Sequence, residues 1–322
     1  MEPAGALAAA VAPIAVASRS GREESLHHGV AIALDASGRP VAKVGDPTVS
    51  VYPRSALKPL QAAAMCAAGL DLDERLLALA CASHDGSDGH IEAVRELLER
   101  FDLDESALRN TSARPYDAAA RTSARMRGIG PSPIQQNCSG KHAAMLATCR
   151  VNGWPIDDYL SVDHPLQRTI GAWIEEHGCR VDHVGVDGCG APAHVVPLDQ
   201  LARAVGALAR SRSPVVTSMT AHPEMVAGPA RDVTRWMWAV DGLLAKDGAQ
   251  GMMILARSDG RAAAFKIADG TDEARRAVAI EAIGQLGVDV GRVGDVALPP
   301  PVRGHGREVG VLRALNWDPC SS

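Results

Sequence analysis

The feature that most restricts the fold is where this chain keeps its extended segments. Residues 28–34, the turn Asp35-Ala36-Ser37-Gly38 and residues 40–44 read as a β-hairpin, two short runs containing β-branched residues across a turn cluster. A second hairpin reads over residues 252–256, the turn Ser258-Asp259-Gly260 and residues 262–267, and a further strand over 309–315. Between them the pattern is helical, over residues 57–68, 91–101, 141–151, 165–176, 198–209 and 234–244, with one more helix over 272–286. Gly69, Gly153 and Gly178 stand at three of those ends, where a residue without a Cβ stops a helix at little cost. Strands at both ends around a helical middle predict an α+β fold, with a mostly antiparallel sheet assembled from the two termini. No repeat, heptad or βαβ alternation is evident. The expectation is one globular unit over residues 1–322, with 1–12 as a flexible N-terminus, 316–322 as a C-terminal tail and 114–133 as a mobile loop.

Charge and thiol usage narrow the function. A net charge of −5 and the absence of any run of lysine and arginine exclude a nucleic-acid partner. No stretch has the length and apolarity of a membrane span. The apolar start has Glu2, no basic residue ahead of it and Pro13 within it, which is not the pattern of a secretory leader. Seven cysteines, an odd number scattered along the chain, read as reduced thiols, so a cytoplasmic enzyme is expected.

Lysine is scarce, five residues against 28 arginines. A lysine can lose its proton when desolvated and act as a base or a metal ligand, and an arginine cannot. Ser55-Ala56-Leu57-Lys58 opens a helical run, so hydroxyl and amine lie on one face of its first turn. A neutral Lys58 could then take the serine proton; the alternative is a helix-capping Ser55 followed by a solvated lysine. Arg54, the preceding residue, is a neighbouring cation that would favour the neutral amine. In Asn137-Cys138-Ser139-Gly140-Lys141-His142 a thiol stands at a probable helix start, where the thiolate is favoured. Cys189, in Asp187-Gly188-Cys189-Gly190, follows a short strand. Two thiols with a nitrogen ligand would make an open zinc shell; the alternative is two small buried cysteines. Ala82-Ser83-His84-Asp85 can face a cleft or form a capping turn, and periodicity does not decide which way Lys266 points.

In order along the chain, these segments resemble the L-asparaginase family of the rhizobial thermolabile, inducible type. The matching stretches are Glu24 to Gly29, Pro53-Arg54-Ser55 with Lys58-Pro59, Ala82-Ser83-His84, Asn137 to His142, His164-Pro165, Asp187 to Pro192, Lys246-Asp247-Gly248-Ala249 and Lys266 to Gly270. The resemblance implies a fold similar to serine β-lactamases and penicillin-binding proteins, a single asparaginase domain, a homodimer, and hydrolysis of L-asparagine to L-aspartate and ammonia. It implies two serine–lysine pairs, Ser55 with Lys58 and Ser83 with Lys266, Ser55 being favoured as nucleophile. It also implies Arg54, His84 and Asp187 as organising residues, and one zinc ion per chain on Cys138, Lys141 and Cys189. The chain departs from that pattern at Gln250, at the position after Gly86 and at Ala143-Ala144, and Lys266-Ile267-Ala268 is not the Lys-Thr-Gly of β-lactamases. The rival readings are an enzyme for another small amide and a non-catalytic amino-acid or zinc-binding protein.

Overall fold

A computed structural model describes residues 5–293 and 301–320. Its strands, in chain order, are β1 (Ala12–Arg19), β2 (Arg22–Leu34), β3 (Pro40–Val44), β4 (Ser50–Val51), β5 (His183–Val186), β6 (Pro192–Pro197), β7 (Leu243–Gly248), β8 (Met252–Arg257), β9 (Ala262–Ile267), β10 (Pro301–Gly304), β11 (Arg307–Ala314) and β12 (Asp318–Pro319). The main path of the large sheet runs β10-β11-β1-β2-β9-β8-β7, with β3 on the free part of β2 and β12 on β3. Every pair in it is antiparallel. Residues from both ends of the chain therefore meet where β2 pairs β9, Val30 opposite Lys266, as the distribution of extended segments predicts. A small second sheet, β4-β6-β5, was not foreseen.

The strands β7 and β9 are buried at every position, which requires cover on both faces of the sheet. Helices Leu198–Arg210 and Asp272–Gln285 pack on β8 and β9. Two other helices form the centre of the helical layer. Lys58–Ala67 is buried from Lys58 to Met65, and Ser139–Asn152 from Ser139 to Cys149. Helices buried all round belong to the interior. Small residues let them come close: a Cβ on Gly140 would lie 2.5 Å from the Leu79 carbonyl oxygen. These two helices present Lys58 and Lys141 near their N-termini, so the packing of the layer brings two lysines to one place.

Several expectations are corrected. The helix over 234–244 is a shorter one, Asp232–Ala239; Gly242, at a φ of 70°, then turns the chain into β7, so Lys246 lies on a strand. Residues 12–19, read only as an apolar start, are β1, and the loop over 114–133 contains the helix Ala118–Met126. Where a flexible N-terminus was expected there is a short helix, Ala6–Ala10, and where a tail was expected Trp317 is buried and β12 pairs β3. Residues 1–4 and 321–322 of those segments lie outside the described residues. Among the described residues no helix is long and apolar enough to cross a membrane.

Candidate active site

The turn carrying Ser55 is held against the sheet by close backbone approach. Residues Arg54–Leu57 form a 3-10 turn that runs directly into the helix Lys58–Ala67. A Cβ on Gly248, the last residue of β7, would lie 2.4 Å from the Pro53 carbonyl oxygen, so glycine is needed for this contact. Residues directly opposite one another share a face, and the register places Gly248 opposite Met252 and Met252 opposite Lys266, with Lys246 two residues back on the same strand. Lys246 and Lys266 therefore project from the face that meets the serine turn. Arg54 stands at a φ of 54°, an unfavourable conformation for a residue with a side chain, immediately before Ser55.

Lys58 is 1% exposed. Its ammonium donates to Ser83 Oγ at 3.2 Å, to Cys138 Sγ at 3.2 Å and to the Ala82 carbonyl, which uses all three of its protons. The lysine partner of Ser83 is thus Lys58, a correction to the expected pairing with Lys266. Lys266 instead donates to the carbonyl of Ile267. Among the described residues no hydrogen bond joins Lys58 to Ser55 or Lys266 to either serine. Both serines nevertheless line one cleft of about 310 Å³, with Tyr116, Asn137, Arg231, Asp247 and the β7–β8 turn Ala249-Gln250-Gly251. A neighbouring void beside Lys58 and Lys141 measures about 10 Å³, room for one water, so the larger cleft is the place for a substrate.

Asp187 ties the serine turn to the thiols. Arg54 holds its Oδ1 through Nε at 2.8 Å and Nη2 at 2.7 Å, and the Gly188 N–H donates to the same oxygen at 2.7 Å. Burial works against the Asp187 anion, but Lys141 and Arg54 hold its carboxyl below the usual range. Cys138 and Cys189 are in contact, and Lys141 Nζ lies 3.3 Å from Cys189 Sγ. The hydrogen bond from the Cys189 thiol, with the charges of Lys58 and Lys141, outweighs burial and holds the Cys138 thiol well below its ordinary value. Burial pulls Lys141 down, yet the two sulfurs and Asp187 carry it above its ordinary value. Two sulfurs and an amine converging in a dry pocket suit zinc, which favours soft and borderline donors. Among the described residues no three His, Cys, Asp or Glu side chains gather to hold a metal, so a shell here would need Lys141 as third donor, after loss of the proton that its surroundings favour.

His84 does not line the cleft. Its Nε2 pairs with Ser139 Oγ at 2.8 Å, and its ring stacks on His90 at 5.1 Å. Burial, with His90 and Lys58 nearby, pushes its pKa well down, and its side-chain partner is Ser139, the neighbour of Cys138.

Sequence reasoning assigned no role to Lys246, Asp247, Arg231, Tyr116 or Asn137. The signal for the first was present, since Lys246 is one of five lysines. Lys246 is fully buried and donates to Asp247 Oδ1 at 2.6 Å; burial pulls its pKa to about 8 against the attraction of that carboxylate, Lys58 adding to the fall. Asp247 also accepts from Arg231 Nη2 at 2.6 Å. Burial opposes its ionisation, but Lys246 and Arg231 keep its carboxyl far below the usual range. Arg231 Nη1 is buried with no partner, and the Tyr116 ring lies over the guanidinium at 4.7 Å. A buried donor left unmatched costs about 1–3 kcal/mol and calls for an explanation.

A family model described as L-asparaginase II matches residues 15–314. No curated protein matches the chain in sequence. Among solved structures, a β-lactamase from Mycobacterium bovis is similar at 15% sequence identity with a TM-score of 0.38, over 81% of this chain and 95% of that one.

Proposed function

The chain belongs to the L-asparaginase II family, and from that premise we propose that it hydrolyses L-asparagine to L-aspartate and ammonia by a serine–lysine acyl-enzyme route. The observation that carries the route is the 3.2 Å bond from Lys58 to Ser83 at the wall of a cleft that Ser55 also lines. Ser55 attacks the side-chain amide carbon, and its proton passes through Ser83 to a neutral Lys58. Lys58 returns the proton to the leaving nitrogen, ammonia departs, and water releases aspartate by the reverse path. The strained Arg54 and the contact at Gly248 hold Ser55 at the cleft; the Ala56 N–H is taken by the Pro53 carbonyl at 3.1 Å, so the donor this turn offers a developing oxyanion is the N–H of Ser55. Lys266 and Lys246 add positive charge on the sheet side. The working form is proposed to be a cytoplasmic homodimer, in keeping with seven free cysteines and with the resemblance above.

The test is ammonia release from L-asparagine as a function of pH. A lysine accepts a proton only when neutral, so the rate is expected to rise with pH. Burial brings Lys246 to about 8 and also lowers Lys266 against the pull of Asp269. The rise is expected ahead of an ordinary lysine near 10.4, with an apparent pKa that belongs to the coupled lysines Lys58 and Lys246 and not to one residue. A profile flat from about pH 6 to 10 with chemistry rate-limiting would remove the lysine base; no ammonia at any pH would remove asparagine as substrate.

Cys138, Cys189 and Lys141 are the residues proposed to hold one zinc ion, which when bound supplies a fixed positive charge beside the substrate. Protein purified without chelators is expected to carry about one zinc per chain, and Cys138→Ser and Cys189→Ser to lose it. Metal analysis finding none in the parent protein would leave two buried thiols in contact.

A further inference from the structure

The cleft holds a cation that the proposed proton route does not use. Arg231 stands at the start of the helix Asp232–Ala239 and points one arm of its fork, Nη2, at Asp247 Oδ2. The other arm, Nη1, has no partner. Among the described residues it is the one buried polar side-chain atom without a partner on the wall shared by Ser55 and Ser83. Asp247 does not cancel this charge, because it is shared with the buried ammonium of Lys246. The other carboxylate of the cleft, Asp272, is itself held by Arg275 and Arg276, so it does not answer the free arm either. A planar fork with one arm unpaired matches a carboxylate oxygen better than any neutral group. Beside Gly248, Gly251 and Gly270 the lining also carries Asn137, Gln250 and Asp272, and none of these bonds the free arm.

We propose that Arg231 is the specificity residue that receives the α-carboxylate of the substrate, with Tyr116 as its cover. The Tyr116 ring lies on the guanidinium and is itself more than half exposed, so it can move aside when a carboxylate arrives. The arrangement selects α-amino acid amides over amides that lack the carboxylate. This inference rests on the reading of the same cleft as the site of asparagine hydrolysis.

The test compares L-asparagine with 3-aminopropanamide, the same molecule without its α-carboxylate, in the parent enzyme, Arg231→Gln and Arg231→Lys. With Arg231→Gln, kcat/KM for L-asparagine should fall roughly 100-fold, mostly through KM, while that for 3-aminopropanamide stays within about 3-fold, because only the first substrate loses a charge-assisted bond. Arg231→Lys should fall between parent and Gln variant, keeping the charge but not the fork. Inhibition by L-aspartate against β-alanine gives the same ratio if the shorter amide turns over slowly. Equal losses on both compounds would make Arg231 a structural residue, and no loss would remove it from the site; either overturns the inference. If the parent enzyme itself releases no ammonia from L-asparagine, the reading of the substrate has failed, and that is visible before any variant is made.

Discussion

Replacing Lys58 by methionine is expected to lower kcat for L-asparagine by at least about 1,000-fold, since loss of a general base that also orders its serine removes a unit of the machinery. Methionine matches the length of the side chain and avoids forcing a larger group into a site that is 1% exposed. It removes the donor to Ser83 Oγ, Ala82 O and Cys138 Sγ together. Arginine should be as damaging, because it cannot give up a proton at working pH. Ser83→Ala in the Lys58→Met background should add little, as groups that act as a unit are not additive. The thermal transition of each variant separates loss of chemistry from loss of fold. Turnover within about 10-fold of the parent in a folded Lys58→Met protein would assign the base elsewhere.

The second large effect concerns stability. Arg275 is 2% exposed, and its guanidinium is held by Asp232, by Asp272 at 2.7 Å and by the Trp236 ring at 6.0 Å. Burial opposes its charge, and the carboxylates Asp232, Asp247 and Asp272 overcome that. Asp232→Ala takes away the most buried contact partner and leaves a buried cation reliant on Asp272, which is 56% exposed. The expected loss is about 3–5 kcal/mol by chemical denaturation at neutral pH, the range for stripping one partner from a buried pair. The exposed pair Arg19–Glu24 should show no measurable effect when broken. A loss below about 1 kcal/mol for Asp232→Ala would mean that water or Asp272 solvates Arg275 adequately. The same aspartate follows Arg231 in the chain and opens its helix.

The candidate residues were legible where the signal is local. Ser55 and Lys58 are three residues apart, and helix geometry alone puts them on one face. Helices 57–68 and 141–151 declared themselves by periodicity, and both lysines do enter the site from those helices. The helix expected over 234–244 overran because apolar residues resume at Leu243 directly after Asp241-Gly242, and a buried strand and a buried helix look alike over a few residues. His84 was expected among the organising residues, and that its ring turns to Ser139 instead of lining the cleft was not readable from a three-residue motif.

The sequence by itself determined the fold class and singled out the side chains proposed to react. Extended segments at both ends could satisfy their backbone only by pairing with one another, and lysine retained in an arginine-rich chain marked where a removable proton was needed. Which partners those side chains took was decided by tertiary structure. Lys58 reaches Ser83 and Cys138, 25 and 80 residues away, rather than pairing with the serine in its own turn. Cys189 meets Lys141 across 48 residues, and Arg231 acquires an unpaired donor only because β7 brings Asp247 to one of its arms. Periodicity governs neighbours within a turn or two of helix. The direction of a buried ammonium is set by how two apolar helices and a sheet edge pack around it, and that information is spread over residues that carry no chemistry of their own.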